Sequence, residues 1–323
     1  MSDSNETRPT MRTLRFHDYG EPADVLRLEE AEIPSPGPGR IRVRVHACGL
    51  NPADWALCRG LFQDKLPRGI GLDVSGTVDA IGAGVTGVAV DDRILGAADY
   101  AGCASAGASD YAVMEHWAHV PATLDMVEAA SLPMAVETAC RSLDLLGELS
   151  GRTLLVHGAG TMMGFAAVQM ALMRGAHVIA TAGDTFAERL RVLGATVTFY
   201  GDGMIERVRE IAQGAPDLIL DCSPVRGVLP DLVKIAGGDP QRVLTMVDFA
   251  AAKEFGVRGN LEGDNALRYD AFDEFAKLAA AKRFTVPVAQ TFALQEWRTA
   301  LDISLSWKAR GKLVILPGNI SSE

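Results

Sequence analysis

The sequence predicts an α/β protein with two domains, a mostly antiparallel β-barrel and a doubly wound parallel sheet. From Thr13 to about Pro121, short β-like runs alternate with clusters of glycine and proline, as in 35–39 and 82–84. Short strands with this turn punctuation are typical of a compact barrel. From about Thr123, strand-like and helix-like segments alternate. This alternation indicates parallel strands that are joined by helices.

The elements follow in order along each part of the chain. Apolar and β-branched runs predict barrel strands at 12–16, 41–47, 74–81, 93–95 and 111–113. In the second part they predict strands at 153–157, 176–182, 196–200, 217–222 and 242–247, with helices at 163–174, 185–193 and 204–213. A helix at 269–282, a strand-like run at 284–292, a short helix at 294–304 and a last strand at 312–316 complete the chain. We expect this tail to return to the first domain.

Composition and charge restrict the class of protein. The 323 residues are 48% hydrophobic and 22% charged, as in soluble globular proteins. A formal net charge of −10 argues against nucleic acid and anionic membranes as partners. No apolar run reaches the roughly eighteen residues of a membrane span. The polar N-terminus has no signal core, and we expect residues 1–11 to be disordered. The five scattered cysteines suit a reducing cytoplasm.

A small-residue turn in residues 153–167 (TLLVHGAGTMMGFAA) is the most informative local pattern. A short apolar strand leads through Gly158, Gly160 and Gly164 into an apolar helix. Glycines let the backbone approach a pyrophosphate, and the helix N-terminus offers free N–H groups. The spacing is one residue longer than GxGxxG. The next strand follows about twenty residues later, where a dinucleotide-binding fold places it. The pattern therefore predicts a dinucleotide site.

Five segments match motifs of one known family. They are 48–55 (N-P-x-D-W), 71–78 (G-x-D/E-x-x-G-x-V), 82–93 (G-x-G-V-x-x-x-x-x-G-D-R, with Asp91 for glycine), 156–159 and 310–314 (R-G-K-x-V). In this order they resemble the medium-chain dehydrogenase/reductase superfamily, in its zinc-independent quinone oxidoreductase and enoyl reductase-like branch. The resemblance implies a GroES-like catalytic domain at 12–122 and 262–323. It also implies a Rossmann dinucleotide-binding domain at 123–261 and a homodimer.

The ligand positions of the family's zinc-dependent members are changed in this chain. Those members use a Cys and a His-Glu pair, whereas the matching positions here hold Asn51 and Leu72-Asp73. The family's structural four-Cys loop is missing. Zinc needs three or four ligands in a tetrahedral array, and His116 and His119 form the only close histidine pair. We therefore expect no metal site.

Asn51 and Asp54 are the candidate catalytic residues. A metal-independent hydride transfer needs orientation and donors for the charge that develops on a carbonyl oxygen. The Asn51 amide can donate, and the resemblance places its loop over the nicotinamide. The alternative is an Asn-Pro turn that only shapes the loop. For Asp54, we favour anchoring of the loop through backbone hydrogen bonds over a role as a base.

The candidate substrate contacts are Trp55, Phe62, Tyr100 and Glu137. Trp55 either stacks near the substrate or lies in the core, and we favour the core. Phe62 stands where the family often has a tyrosine that could donate a proton. Tyr100, Tyr111 or solvent are then the alternative proton sources. Glu137 is either a charged substrate contact or a solvated helix residue.

The candidate cofactor-binding residues come from the turn, the strand ends and the family motifs. They are Thr138, Gly158, Ala159, Gly160, Thr161, Met162, Met163, Gly164, Gly183, Asp184, Arg189, Tyr200, Ser223, Val247, Phe249 and Lys312. The resemblance places Thr138 near the nicotinamide and Tyr200 near the adenosine; the alternative for Tyr200 is a surface position at the strand end.

Three residues of the turn depart from the family's A-A-G-G-V-G. We expect the Thr161 hydroxyl to bind a phosphate oxygen. Met162 and Met163 either reshape the turn or face the core. Small residues after the second strand leave room for a 2′-phosphate, with Arg189 as its cation, whereas Asp184 opposes a phosphate if it points inward. We favour NADPH over NADH.

The leading hypothesis is an NADPH-dependent, metal-independent reductase that transfers a hydride to a conjugated carbonyl compound. The acceptor is a quinone or an enone or enoyl intermediate, in a specialised biosynthetic pathway. The alternative is a non-catalytic dinucleotide-binding redox sensor or a repurposed reductase fold. The altered turn at 161–163 favours this alternative, and the Asn51 loop and Lys312 strand count against it.

Overall fold

The computed structural model describes residues 9–262 and 266–318. The strands in chain order are β1 (Thr10–Phe16), β2 (Leu26–Glu32), β3 (Ile41–Leu50), β4 (Arg68–Gly69), β5 (Asp73–Ile81), β6 (Arg93–Ala98), β7 (Tyr111–His119), β8 (Thr153–His157), β9 (His177–Thr181), β10 (Thr196–Thr198), β11 (Leu218–Asp221), β12 (Val243–Thr245), β13 (Arg258–Gly259), β14 (Val288–Ala293) and β15 (Lys312–Leu316).

The α-helices in chain order are α1 (Pro22–Val25), α2 (Pro52–Cys58), α3 (Met126–Ala129), α4 (Pro133–Leu146), α5 (Met162–Met173), α6 (Asp184–Leu193), α7 (Met204–Ile211), α8 (Leu229–Ile235), α9 (Phe249–Phe255), α10 (Phe272–Ala280) and α11 (Trp297–Leu305). Short 3-10 turns occupy Pro240–Arg242, Tyr269–Ala271 and Leu294–Glu296. None of the helices in the described ranges is long and apolar enough to cross a membrane.

The first of two compact units is a barrel. It comprises the described residues up to Met134, Phe272–Arg283 and those from Pro287 onward. Its main sheet has the order β14-β15-β3-β5-β6-β7, and β3 also pairs with β7, which closes the barrel. All its pairings are antiparallel except β14 with β15. Along β3 the side chains alternate between the core and the outside, as in a closed barrel: Ile41, Val43 and Val45 face the core, and the residues between them do not.

The second unit, Ala135–Ala271 with Phe284–Val286, is built on a parallel sheet. Its strand order is β10-β9-β8-β11-β12-β13, and every pairing is parallel. The strands are short continuous apolar runs, such as the buried Leu154–Val156, because both faces of such a sheet are covered. The order reverses between β8 and β11, and ligands of such folds bind beyond the strand ends at this point. The predicted fold class is confirmed.

Element bounds differ from the prediction where tertiary contacts decide them. Thr10 and Met11 already belong to β1, paired with β2, so the predicted disorder is wrong for these two residues; residues 1–8 lie outside the described range. β2 (LRLEEAE) was missed because an edge strand with few buried residues lacks a clear alternation. The predicted strand 284–292 begins at Val288, because Pro287 has no N–H for a ladder.

Candidate functional site

Four polar side chains are buried together in the barrel unit, each at most 6% exposed: Asn51, Asp54, Asp73 and Lys312. Strand pairing brings them together. Asp73 begins β5 opposite Gly49 of β3, and Lys312 begins β15, whose next residue pairs with the end of β3. Asn51 follows β3 directly and caps α2. The three strands therefore hold the four residues at one end of the sheet.

Lys312 is the cation of this cluster. Its Nζ donates to Oδ1 of Asn51 at 2.5 Å and to Oδ2 of Asp73 at 2.6 Å. Because an ammonium only donates and a carboxylate only accepts, the Asn51 amide must turn its oxygen to Lys312 and its nitrogen to Asp73. Asn51 Nδ2 donates to Asp73 at 3.1 Å. The third N–H of Lys312 has no acceptor among the described residues.

Both hydrogens of the Asn51 amide have protein acceptors, Asp73 and the carbonyl oxygen of Gly49 (3.4 Å). Asn51 therefore has no free amide hydrogen for its predicted donation to a substrate oxygen. Lys312 has a free N–H hydrogen instead. Sequence reasoning placed Lys312 with the cofactor-binding residues and did not name Asp73 as a site residue. The signal for Asp73 was its place in the motif at 71–78.

Asp54 joins the start of α2 to the segment before β5. Its Oδ2 accepts from the backbone N–H of Asn51 at 2.7 Å, and Oδ1 accepts from Gly71 and Leu72 at 2.7 and 3.1 Å. Burial raises the pKa of Asp54 to about 7, and the hydrogen bonds from Asn51 and Gly71 act against that rise. These are the contacts that the anchoring interpretation predicts.

The substrate candidates of the barrel unit divide into core and surface. Trp55 is 1% exposed and donates from Nε1 to Ser304 Oγ at 2.7 Å. Trp55 therefore takes the core position, which was favoured over a contact with substrate. Phe62 is 54% exposed, and Tyr100 is half-buried. Arg68, which sequence reasoning missed, contacts both through the Phe62 carbonyl oxygen and the Tyr100 ring.

The β8–α5 turn of the second unit fits a pyrophosphate. Gly158 has a φ of +76°, and a Cβ there would lie 2.6 Å from Ser223 N. A Cβ on Gly164 would lie 2.5 Å from the Gly158 carbonyl oxygen. Within the described part of the chain, the N–H groups of Gly160, Met162 and Met163 have no acceptor. Free N–H groups at a helix N-terminus are suited to an anion.

Two expectations for this turn are wrong. Thr161 is the N-cap of α5, and its Oγ1 accepts from Gly164 N and donates to Gly158 O, both at 3.0 Å. Its hydroxyl proton is therefore used within the turn rather than kept for a phosphate. Met162 and Met163 are partly exposed, so the alternative that they face the core does not hold. The buried face of α5 begins at Gly164. Ala159 is buried, and its N–H donates to Thr181 O.

A buried polar layer that sequence reasoning missed supports this turn. His157 Nδ1 lies 2.8 Å from Thr181 Oγ1, which accepts from Gly158 N at 3.1 Å. Burial lowers the pKa of His157 to about 4, so its imidazole is neutral. Asp221 accepts from Thr245 Oγ1 at 2.8 Å, and burial raises its pKa to about 6. The available signal was a polar residue at the end of each apolar strand.

Polar residues surround the end of β9. Gly183 caps α6 and Asp184 begins that helix with an exposed side chain. Arg189 is exposed, with its guanidinium 6.0 Å from the Phe186 ring centroid. Tyr200 is 60% exposed, and a Cβ on Gly183 would lie 3.3 Å from its hydroxyl oxygen. Gly183 and Tyr200 therefore lie beside each other just after β9, and Arg189 lies in the helix that follows, beside Phe186.

Glu137 takes neither of its two predicted roles. It is 7% exposed, and Arg141 binds it from Nε at 2.6 Å and from Nη2 at 3.3 Å. The Thr138 hydroxyl also donates to Glu137, at 3.1 Å. Glu137 is therefore a buried ion-pair partner and is neither open to substrate nor solvated. The spacing of Glu137 and Arg141 on one helix was the signal for this pair.

The remaining cofactor candidates follow β11 and β12. Ser223 is 6% exposed, and its Oγ accepts from Val225 N at 3.2 Å. Val247 is half-buried and donates its N–H to Thr245 Oγ1 at 3.1 Å, and Phe249 begins α9 with 36% of its surface exposed. Across residues 9–262 and 266–318, no group of three or more His, Cys, Asp or Glu is placed to hold a metal ion.

Comparisons with known proteins show which family the chain resembles. Residues 37–128 match the model described as alcohol dehydrogenase GroES-like domain, and residues 163–245 match the model described as zinc-binding dehydrogenase. The quinone oxidoreductase of Sus scrofa is 34% identical over 331 residues, which cover 95% of this chain and 98% of that protein. The quinone oxidoreductase of Rattus norvegicus is 33% identical over 189 residues.

The rat match covers 56% of this chain and 55% of that protein, so the chain spans about half the length of several curated relatives it matches. Among solved structures, the quinone oxidoreductase from Coxiella burnetii has a TM-score of 0.81, with 23% identity. It covers 96% of this chain and 100% of that chain. This likeness shows a shared fold over nearly the whole described chain.

Proposed function

We propose that the chain is a nicotinamide-dependent reductase that transfers a hydride to a conjugated carbonyl compound without a metal. The chain belongs to the quinone oxidoreductase-like branch of the medium-chain dehydrogenase/reductase superfamily. One observation carries the proposal. Where zinc-dependent members have metal ligands, this chain has Asn51 and Asp73 hydrogen-bonded to the buried Lys312. A side-chain ammonium then takes the electrostatic role of the metal.

The residues of this cluster have separate roles. When bound, the nicotinamide supplies the hydride. Lys312 offers its third N–H to the carbonyl oxygen, where negative charge develops. Asp73 and Asn51 hold the ammonium in place, and Asp54 fixes the loop that carries Asn51. The absence of a phenol at Phe62 favours a quinone acceptor, which needs no proton at carbon, over an enone.

The β8–α5 turn is proposed to hold the pyrophosphate through the N–H groups of Gly160, Met162 and Met163. Backbone groups and the positive end of the helix supply this interaction, so the bulky methionines do not prevent it. We propose NADPH rather than NADH as the cofactor, because Arg189 is exposed on the helix that follows β9 and its guanidinium pairs with no carboxylate among the described residues.

Replacing Arg189 by alanine tests the cofactor preference. We expect Arg189→Ala to weaken NADPH by about tenfold and NADH by much less, since a charge-assisted hydrogen bond contributes roughly 1.5–3 kcal/mol. Fluorescence titration of each cofactor gives the two dissociation constants. Arg191→Ala, on the same helix and facing Glu188 at 3.5 Å, is the matched control. Equal weakening of NADPH and NADH would refute the phosphate contact.

Replacing Asn51 by alanine tests the cluster. Asn51→Ala removes one of the two acceptors that orient Lys312. We expect kcat to fall by roughly 10²-fold, as for loss of one group in a preorganised donor site, while the Kd for NADPH stays nearly unchanged. Steady-state rates and cofactor titration measure these two quantities. An unaltered kcat would show that Asn51 has no catalytic role.

The function itself is tested by NADPH consumption with 1,4-naphthoquinone and with cinnamaldehyde, offered separately. Turnover with either supports the reductase and shows which acceptor class to pursue. If NADPH binds and neither acceptor is reduced, the non-catalytic dinucleotide-binding alternative is favoured.

We also propose that the protein is a cytoplasmic homodimer that acts on a small molecule in a biosynthetic pathway. The resemblance supports the dimer, and analytical ultracentrifugation would test it. No disulfide joins the five cysteines, all of which lie in the described ranges, and this supports a reducing compartment.

A further inference from the structure

Arg68 is a buried cation without a carboxylate partner. Its residue surface is 2% exposed, and its Nη1 donates to the Phe62 carbonyl oxygen at 2.6 Å. No other hydrogen bond or ion pair joins its side chain to the described residues. A guanidinium stays charged at any physiological pH. A buried charge without a partner is costly, since desolvation removes several kcal/mol of hydration. An anion that binds here would offset this cost.

The unpaired donors of Arg68 lie on one edge of the guanidinium. Nε is fully enclosed and has no hydrogen-bond partner, and Nη2 donates to none of the described residues. The hydrogens on Nε and Nη2 point the same way, side by side, which is the fork that binds both oxygens of a carboxylate. Nη1, which is used by Phe62, is on the other side. The chain therefore leaves one complete bidentate edge unused.

Arg68 is also placed beside the proposed substrate region. It pairs with Phe16 in the β1–β4 ladder, and its guanidinium carbon lies 5.8 Å from the Tyr100 ring centroid. The Arg68 side chain contacts Phe62 and Tyr100, the two substrate candidates that the structure leaves accessible. A short segment then leads to Gly71, whose N–H binds Asp54.

We propose that Arg68 binds a carboxylate carried by the acceptor, so that the substrate class is acidic conjugated carbonyl compounds. This inference rests on the proposed function and names its substrate class. The ring face of Tyr100 and the strand pairing hold the guanidinium in place before the acceptor arrives. Because Nε is enclosed, the acceptor carboxylate reaches it only if the adjoining loop, whose exposed residue is Phe62, shifts. A purely structural role, holding the Phe62 carbonyl, is the competing explanation.

Matched acid and ester acceptors test the proposal at saturating NADPH. The pairs are 4-carboxycinnamaldehyde with its methyl ester, and a carboxyethyl-1,4-naphthoquinone with its methyl ester. For the wild-type protein we expect kcat/KM for at least one acid to exceed that of its ester about tenfold or more, the effect of one charged hydrogen-bonded pair. Comparable values for acid and ester in both pairs would overturn the proposal.

Variants of Arg68 distinguish substrate binding from a purely structural role. Arg68→Met should lower kcat/KM for the acid about tenfold more than for the ester and so remove the acid preference, and Arg68→Lys should restore part of that preference. Arg59→Met is the matched control, since Arg59 precedes the same loop and its exposed side chain pairs with Glu21 at 2.8 Å. An equal loss for acid and ester, or a loss confined to the KM for NADPH, would contradict acceptor binding. If Arg68→Met does not fold, the wild-type ratio and Arg68→Lys decide.

A binding experiment distinguishes failure of this inference from failure of the proposed function. If no acceptor is reduced, the reductase proposal fails, and calorimetric titration with cinnamate and with methyl cinnamate still tests Arg68. Binding of cinnamate to the wild-type protein, and its loss in Arg68→Met, would support the carboxylate site. Equal binding of acid and ester, or no binding of either, would overturn it.

Discussion

Gly158→Ala should abolish measurable NADPH binding and destabilise the protein by roughly 3 kcal/mol. An alanine held at the positive φ of Gly158 loses about 1–2 kcal/mol of stability through backbone strain. The added Cβ would lie 2.6 Å from the backbone nitrogen of Ser223, so the ends of β8 and β11 must move apart, at a cost of roughly 1–3 kcal/mol. This movement also displaces the turn that is proposed to hold the pyrophosphate. Urea denaturation and NADPH titration measure the two effects.

Gly160→Ala is the matched control for this prediction. A Cβ on Gly160 meets nothing closer than Phe186 Cδ2, at 3.6 Å, and its φ is not in the left-handed region. We therefore expect stability within about 0.5 kcal/mol of wild type, the usual range for a substitution without a clash. If both variants lose stability and NADPH binding equally, the close approach at Gly158 does not determine the site.

Lys312→Met should remove turnover and cost roughly 3–5 kcal/mol of stability, because it leaves Asp73 buried without its counter-ion. Lys312 and Asp73 are each about 2% exposed, so water does not replace the lost partner. Adding Asp73→Asn to Lys312→Met removes the unpaired charge. The double variant should recover most of the stability while turnover stays lost. Urea denaturation and NADPH oxidation, with the acceptor that the wild type reduces, measure these effects.

The two measurements separate electrostatic support of the fold from chemistry. If the double variant recovers stability and also reduces the acceptor at the wild-type rate, Lys312 is not the group that stabilises the developing oxyanion. If the single variant is as stable as wild type, the ion pair makes no net contribution to the fold.

Local patterns in the sequence predicted the parts of the molecule that are built from neighbouring residues. The strand, turn and helix of residues 153–173 lie where periodicity and glycine spacing placed them. The anchoring role of Asp54 follows from a short spacing, since it accepts from the N–H of Asn51 at the start of α2. In both cases the contacts that the sequence predicted join residues that are close along the chain.

Contacts between distant residues were not predictable in the same way. Lys312 and Asp73 are 239 residues apart, and only strand pairing in the barrel makes them an ion pair. Burial is equally hard to predict from the sequence: Glu137 was expected either to contact substrate or to be solvated, yet it is a buried ion-pair partner. Arg68 stands between two glycine- and proline-rich segments, where no periodicity indicates that its side chain is buried.

The central claim, hydride transfer from a nicotinamide without a metal, is tested most directly by a single-turnover experiment on chelator-treated protein. NADPH and NADPH deuterated at C4 are each mixed with the acceptor that the wild type reduces. We expect full activity after chelation and slower oxidation of the deuterated cofactor. Loss of activity on chelation that zinc restores, or equal single-turnover rates with the two cofactors, would contradict it.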